Sequence, residues 1–295
     1  MGDFRVHILG CGSALPTAVH YPTSQVVELR DKLFLVDCGE GAQRQFRLQR
    51  LDFGRIIGVF ISHLHGDHCY GLYGFLSTMG MLGRRRALPI YGPRGIDTFL
   101  APFIEIEVHV IDDRRSDLIY EDRSVEITSL PLEHRAPCVG YLFREKVTER
   151  HIDRASCDFY QVPRSYYVAL REGADFTTEE GQAIPNHRLT RQGRKARSYA
   201  YCSDTAYAPS LVPLIQGVDL LYHEATFSRE RSERAKVTAH STAEQAALIA
   251  QASGVGRLLI GHYSARYLDA TPLLREAQEV FPETLASDEG MIIDL

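Results

Sequence analysis

Short apolar runs separated by glycines and polar clusters mark out the first half of the chain. "FRVHIL" (4–9), "QVVEL" (25–29) and "LFLVDC" (33–38) are apolar and β-branched, and each predicts a strand. "AQRQFRLQRL" (42–51) has the spacing of an amphipathic helix, and "IIGVFIS" (56–62) predicts a buried strand. A helix is expected over "HCYGLYGFLSTMGML" (68–82). "LPIYG" (88–92), "IEVHVI" (106–111), "SVEITSL" (124–130) and "VGYLFRE" (139–145) predict further strands.

The pattern loosens over 146–197, where periodicity is poor and tyrosines are scattered. That stretch is expected to be an insertion with some helix, outside the core. From 198 the alternation resumes with "SYAYCS", "VDLLYHE" (218–224), a helix from 242, "RLLIGH" (257–262) and a helix from 273. Thr271 is the expected N-cap of that last helix, with Pro272 in its first turn. The whole, 1–295, reads as a single layered α/β domain carrying an insert. Pattern alone does not separate two sheets between helices from one doubly wound sheet.

Composition narrows the class. At 295 residues, with 44% hydrophobic and 24% charged positions, the chain can bury a large core as an ordinary globular protein. No apolar run approaches the ~20 residues of a membrane span, and "MGDFRVHILGCG" has no signal-peptide anatomy. Six scattered cysteines without a CxxC pair suit reduced thiols and a cytoplasmic setting. A net charge of −5 argues against a generally basic, nucleic-acid-coating protein while allowing a local basic patch.

"ISHLHGDHCYG" (61–71) carries the chemistry. His63 and His65 lie two apart after a strand, on the same side of an extended segment, and are expected to grip one ion. A turn at Gly66 lets Asp67 and His68 reach a second position. Imidazole plus carboxylate without thiolate suits catalytic Zn²⁺, with Mn²⁺ as an alternative. His134, Asp204 and His262 each follow a strand, where open α/β sheets place ligands. The expected arrangement is His63, His65 and His134 on one ion and Asp67, His68 and His262 on another, with Asp204 bridging.

These residues, with "LGCGSALPT" (9–17), "DCGEGAQRQF" (37–46), "YGPRGI" (91–96), "HEATF" (223–227), "HSTAEQAA" (240–247) and "GHYSARY" (261–267), resemble the metallo-β-lactamase superfamily. Within it they resemble the ribonuclease Z family. The resemblance spans nearly the whole chain. It implies an αββα sandwich with metals at one sheet edge, an endonuclease acting on the 3′ end of precursor transfer RNA, and a homodimer. His240 is the expected proton donor to the leaving ribose oxygen, beside a capping box of Ser241 and Glu244 at a helix N-terminus that favours phosphate. Ser241 and Thr242 are therefore expected substrate contacts. Glu224 is a candidate to orient His240, and Asp67 to take a proton from the attacking water. Arg266, four residues past His262, is placed to clamp a phosphate.

The insert bears on the substrate. From Arg144 to Arg197 there are 11 Lys/Arg against 8 Asp/Glu. "NHRLTRQGRKAR" (186–197) supplies Arg188, Arg191, Arg194, Lys195 and Arg197 with no acid, a composition suited to RNA-backbone contact. The resemblance makes this segment a protruding arm that grips transfer RNA, although "QVPRSYY" (161–167) stands where the family's arms carry a Gly-Pro turn. Two alternatives remain open. One is a metal-dependent phosphodiesterase or esterase of small substrates. The other is a redox or metal-binding protein on the same fold, against which His65 and the lack of a flavin module argue.

Overall fold

A computed structural model describes residues 4–99, 105–146, 150–193 and 195–295. The N-terminal segment gives β1 (Phe4–Gly10), β2 (Ser24–Leu29), β3 (Lys32–Cys38), β4 (Ile56–Phe60), β5 (Leu88–Pro93) and β6 (Ile106–Ile111). Between them lie α1 (Ala42–Leu48), α2 (Gly66–Cys69), α3 (Leu72–Met81) and α4 (Ile96–Phe99). Next come β7 (Leu118–Glu121), β8 (Val125–Pro131) and β9 (Val139–Glu145). After the insert, β14 (Ser198–Cys202), β15 (Leu220–Glu224), α8 (Ser232–Thr238), α9 (Ala243–Ser253), β16 (Arg257–Gly261), α10 (Thr271–Val280), β17 (Thr284–Ala286) and β18 (Ile292–Asp294) complete the chain.

Two seven-stranded sheets result, ordered β18-β1-β2-β3-β4-β5-β6 and β17-β16-β15-β14-β9-β8-β7. This answers the question that pattern left open. In β3 the two-residue period sends Phe34 and Val36 into a core shared with Tyr141 and Phe143 of β9. Leu33 and Leu35 go the other way, against Phe46 of α1 and Phe75 of α3. Both faces are apolar because both are covered, so these strands read as continuous hydrophobic runs. The Phe34 and Phe143 rings, 5.6 Å apart, and Phe60 and Tyr141, 5.3 Å apart, join the two sheets.

Several expectations change. The helix over 68–82 is two helices, broken at Tyr70–Gly71. Gly71 N–H donates to Cys38 O, and a Cβ there would meet Gly39 O at 2.1 Å, so the backbone passes too close for a side chain. Thr271 is the first residue of α10 and Ala270 is its N-cap. β7, α8, β17 and β18 had no distinct signal in the pattern.

Residues 145–196 form a separate compact unit, one residue earlier than the expected 146–197. It holds β10 (His151–Ile152), α5 (Arg154–Phe159), α6 (Tyr167–Arg171), β11 (Phe176–Thr177), β12 (Ala183–Ile184), α7 (Asn186–Leu189) and β13 (Thr190–Arg191). Cys157, Val162, Leu170, Ile184 and Leu189 make its small core, with Tyr160, Tyr166 and Tyr167 packed around them. That accounts for the scattered tyrosines. Within 161–167, Val162 is buried in this core while Pro163, Arg164 and Ser165 are exposed.

Candidate metal centre and active site

In the larger unit, β3 and β4 are parallel neighbours in one sheet and β14, β15 and β16 are parallel neighbours in the other, and their C-terminal ends deliver the chemistry. Asp37 ends β3, Ser62 and His63 follow β4, Asp204 follows β14, Glu224 ends β15 and His262 follows β16. His134 arrives from the loop after β8. The ligand-type atoms of His63, His65, His134 and Asp204 all lie within 4.8 Å of one another, and so do those of Asp67, His68 and His262. Asp204 faces both groups. Its Oδ2 is 3.5 Å from His63 Nε2 and 4.0 Å from His134 Nε2, while Oδ1 is 3.3 Å from His68 Nε2 and 3.0 Å from His262 Nε2.

Hydrogen bonds on the outer side fix which ring nitrogens carry protons. His68 Nδ1 is 2.7 Å from the Asp37 carboxylate and donates to it. The Thr226 hydroxyl gives its proton to Glu224 Oε2 and so accepts from His262 Nδ1 at 2.8 Å. The Ser62 hydroxyl donates to Asp37 and accepts from His63 Nδ1 at 3.1 Å. His134 Nδ1 donates to Ala239 O at 2.9 Å. In the neutral rings the inner nitrogens are therefore lone pairs. His68 Nε2 and His262 Nε2 face each other at 3.2 Å, and His63 Nε2 faces His65 Nδ1 at 2.9 Å. His134 Nε2 is buried without a hydrogen-bond partner among the described residues. Lone pairs converging on shared points are the donor set of a cation, so these residues fit divalent metal.

Electrostatics agree for His63, His134 and the two carboxylates, and His68 is the exception. Burial, with neighbouring imidazoles, holds His63 well below the ordinary histidine range, and burial also lowers His134. For His68, burial opposes the charged form but Asp204, Asp67 and Asp37 outweigh it and raise the pKa. Burial likewise resists ionisation of Asp67 and Asp204, yet the histidines around them keep both as carboxylates. Neutral imidazoles and ionised carboxylates are the ligating forms.

Backbone strain gathers here. Seven described non-glycine residues have φ of 52–61°. Four of these serve the site: Asp37, Ala239, His262, and Ala14, whose N–H donates to Asp67 Oδ2 at 2.7 Å. Such conformations cost energy and persist where surrounding structure imposes them, a common feature of preorganised sites.

His240 Nδ1 is 2.8 Å from Glu224 Oε1 and 3.9 Å from Asp204 Oδ2. Burial works against its charge, but Glu224 and Asp204 push its pKa up to about 9. The capping box beside it is Thr242 with Gln245, not Ser241 with Glu244. The Ser241 hydroxyl donates to Thr205 O instead, and both Ser241 and Thr242 are buried. Both hydroxyls are thus engaged within the chain, Thr242 accepting from Gln245 N–H at 3.2 Å. Arg266 is exposed and donates to Ser264 Oγ.

Of the arm cations, Arg188 and Lys195 are exposed, and Arg191 is exposed and paired with Asp153. Arg194 lies outside the described residues. Arg197 is corrected: it belongs to the larger unit, stacks over Phe4 and donates to Leu295 O. Sequence reasoning missed Asp37 and Thr226 as outer partners of the histidines. The only signal for Asp37 was a carboxylate in an otherwise apolar strand.

Two sheets meeting at a His/Asp cluster define a metallo-hydrolase of the metallo-β-lactamase fold. The metallo-β-lactamase fold protein YhfI from Bacillus subtilis superposes with a TM-score of 0.73 at 20% identity over 100% of both chains. Human tRNase Z, short form, gives 0.70 at 24% identity over 98% of both. A family profile described as "Anti-Pycsar protein Apyc1" matches residues 4–99. A ribonuclease Z of Porphyromonas gingivalis is 57% identical over 100% of both chains, and one of Parabacteroides distasonis is 55% identical over 99% of both. The chain belongs to the ribonuclease Z family. No helix among the described residues is long and apolar enough to cross a membrane.

Proposed function

We propose that this protein is a tRNA 3′-processing endoribonuclease that removes the 3′ trailer of precursor tRNA with two divalent cations. The observation that carries the metal reading is the pair of inward lone pairs on His68 and His262, 3.2 Å apart, with both outer nitrogens already donating. His63, His65 and His134 would hold one cation, Asp67, His68 and His262 the other, and Asp204 would serve both. Imidazole and carboxylate donors without thiolate favour zinc, with manganese second. Such cations supply Lewis acidity toward the phosphodiester and lower the pKa of water.

The chain's own groups do the rest. Asp67, held by Ala14 N–H, is placed to accept a proton. His240, protonated at neutral pH and aligned by Glu224, donates a proton to the leaving ribose oxygen. Arg266 clamps the substrate backbone. The 145–196 unit grips tRNA through Arg188, Arg191, Arg194 and Lys195, and the working form is a cytoplasmic homodimer.

The test is incubation with 3′-extended precursor tRNA, with and without chelator, and mapping of the products. A single chelator-sensitive cut at the trailer is expected. Hydrolysis of small phosphodiesters with the precursor left intact would replace this reading by the small-substrate one.

A further inference from the structure

A second concave site lies away from the metal centre. It is a cleft of about 700 Å³ at the start of β4, between the turn at 53–55 and the chain following α1 and α3. β4 runs five residues from here toward His63, so at ~3.3 Å per residue the two sites are separated by roughly 20 Å. Five arginines line the cleft: Arg47, Arg50, Arg84, Arg85 and Arg86.

Its charge is nearly uncompensated. Asp52 is its one acid, and the Asp52 carboxylate already accepts from Gly54 N–H at 2.8 Å. The C-termini of α1 and α3 add about half a negative charge each, leaving a surplus of roughly three positive charges. Arg84 is fixed by the carbonyls of Ile56, Arg86 and Ala87. Arg47, Arg50, Arg85 and Arg86 are exposed, and none makes a salt bridge among the described residues. Arg50 also sits at φ 57°, where glycine is usual after a helix. The apolar lining is Leu51, Phe53, Ile57 and Met79, with Leu82 exposed beside them.

We propose that this cleft binds a phosphorylated ligand of nucleotide size, its phosphates on the arginines and its flat body on the apolar lining. Guanidinium forks match phosphate oxygens bidentately. The volume falls within the ~300–1,000 Å³ of small-ligand sites. A polynucleotide would need the basic stripe to continue. The cations that flank it along the chain are engaged elsewhere: Arg55 with Glu28 at 2.6 Å, and Arg44 with the Tyr21 hydroxyl at 2.9 Å. This site is independent of the nuclease reading.

The experiment is isothermal titration of the intact protein with ATP, inorganic pyrophosphate and a short RNA oligomer. It is repeated on Arg47→Ala/Arg50→Ala and Arg85→Ala/Arg86→Ala. Saturable ATP binding is expected, weaker for pyrophosphate. Each double variant should weaken ATP binding by at least roughly tenfold, the effect of removing one charged hydrogen bond. Hydrolysis of a small phosphodiester should be unchanged. The exposed positions leave the core intact, which circular dichroism checks. Absence of saturable ATP binding up to about 1 mM would overturn the proposal. So would ATP binding that survives both double variants. RNA binding that falls in the variants while ATP fails to bind would make the cleft an RNA surface instead.

Discussion

His240 Nδ1 and Glu224 Oε1 are 2.8 Å apart, and Glu224 is fully buried. A carboxylate that can reach no water holds an imidazolium at the mouth of the metal cluster, where burial alone would have neutralised it.

His240→Ala should therefore keep its metal and lose turnover by ~10²–10⁴, the range of general acid–base catalysis. The loss should shrink on a nitrophenyl phosphodiester, whose leaving group needs no proton. Equal damage on both substrates would show that His240 is not the donor. Glu224→Gln should shift the basic limb of the pH–rate profile to lower pH, because His240 loses the charge that lifts its pKa to about 9.

Asp204→Ala should weaken retention of both ions, since each carboxylate oxygen faces a different histidine group. Asp37→Asn should act more mildly, lowering metal affinity by ~10–100-fold as outer-partner losses do. Elemental analysis after dialysis measures both. A protein that never holds more than one ion per chain would exclude the dinuclear arrangement.

Charge reversal at Arg188 and Arg191 should weaken precursor tRNA binding. It should also flatten the dependence of binding on salt, by about one unit for each phosphate no longer neutralised. Turnover of a small phosphodiester should hold. A salt slope identical to that of the unmodified protein would remove the arm from substrate binding.

His20 and Glu289 form an ion pair at 2.9 Å that ties the loop carrying Ala14 to the C-terminal segment. The bond to Glu289 raises the pKa of His20, with Asp288 adding to it against burial. Burial opposes ionisation of Glu289, but His20 and Tyr21 N–H lower its pKa. The histidine's contribution is complete below its unfolded value of ~6.5 and fades as pH rises through the raised folded value. The glutamate's is complete above ~4.3 and fades in more acid solution. Thermal melts should show the advantage over Glu289→Gln greatest between these limits and shrinking toward pH 8. An advantage that does not change with pH would show that the pair is not ionised.

The residues of the HxHxDH string, the strands that precede Asp204 and His262, and the loosening of pattern over 146–197 can all be read in the sequence. Each is a local matter: alternation, a strand end, a run of composition. Hydrophobic pattern alone did not separate two sheets from one, because a strand covered on both faces looks the same in either arrangement; the motifs' resemblance to the metallo-β-lactamase superfamily is what pointed to two. Nor was Asp37, whose part depends on a hydrogen bond with His68 across 31 positions. The capping box shifted by one residue because Ser241 found the carbonyl of Thr205, 36 residues away. Arg197 looked like the arm's last cation until its partner proved to be the carbonyl of Leu295. Spacing along the chain fixes which groups can ligate or donate. Which nitrogen carries the proton, and which hydroxyl is already taken, is set by neighbours that only the folded chain brings within 3 Å.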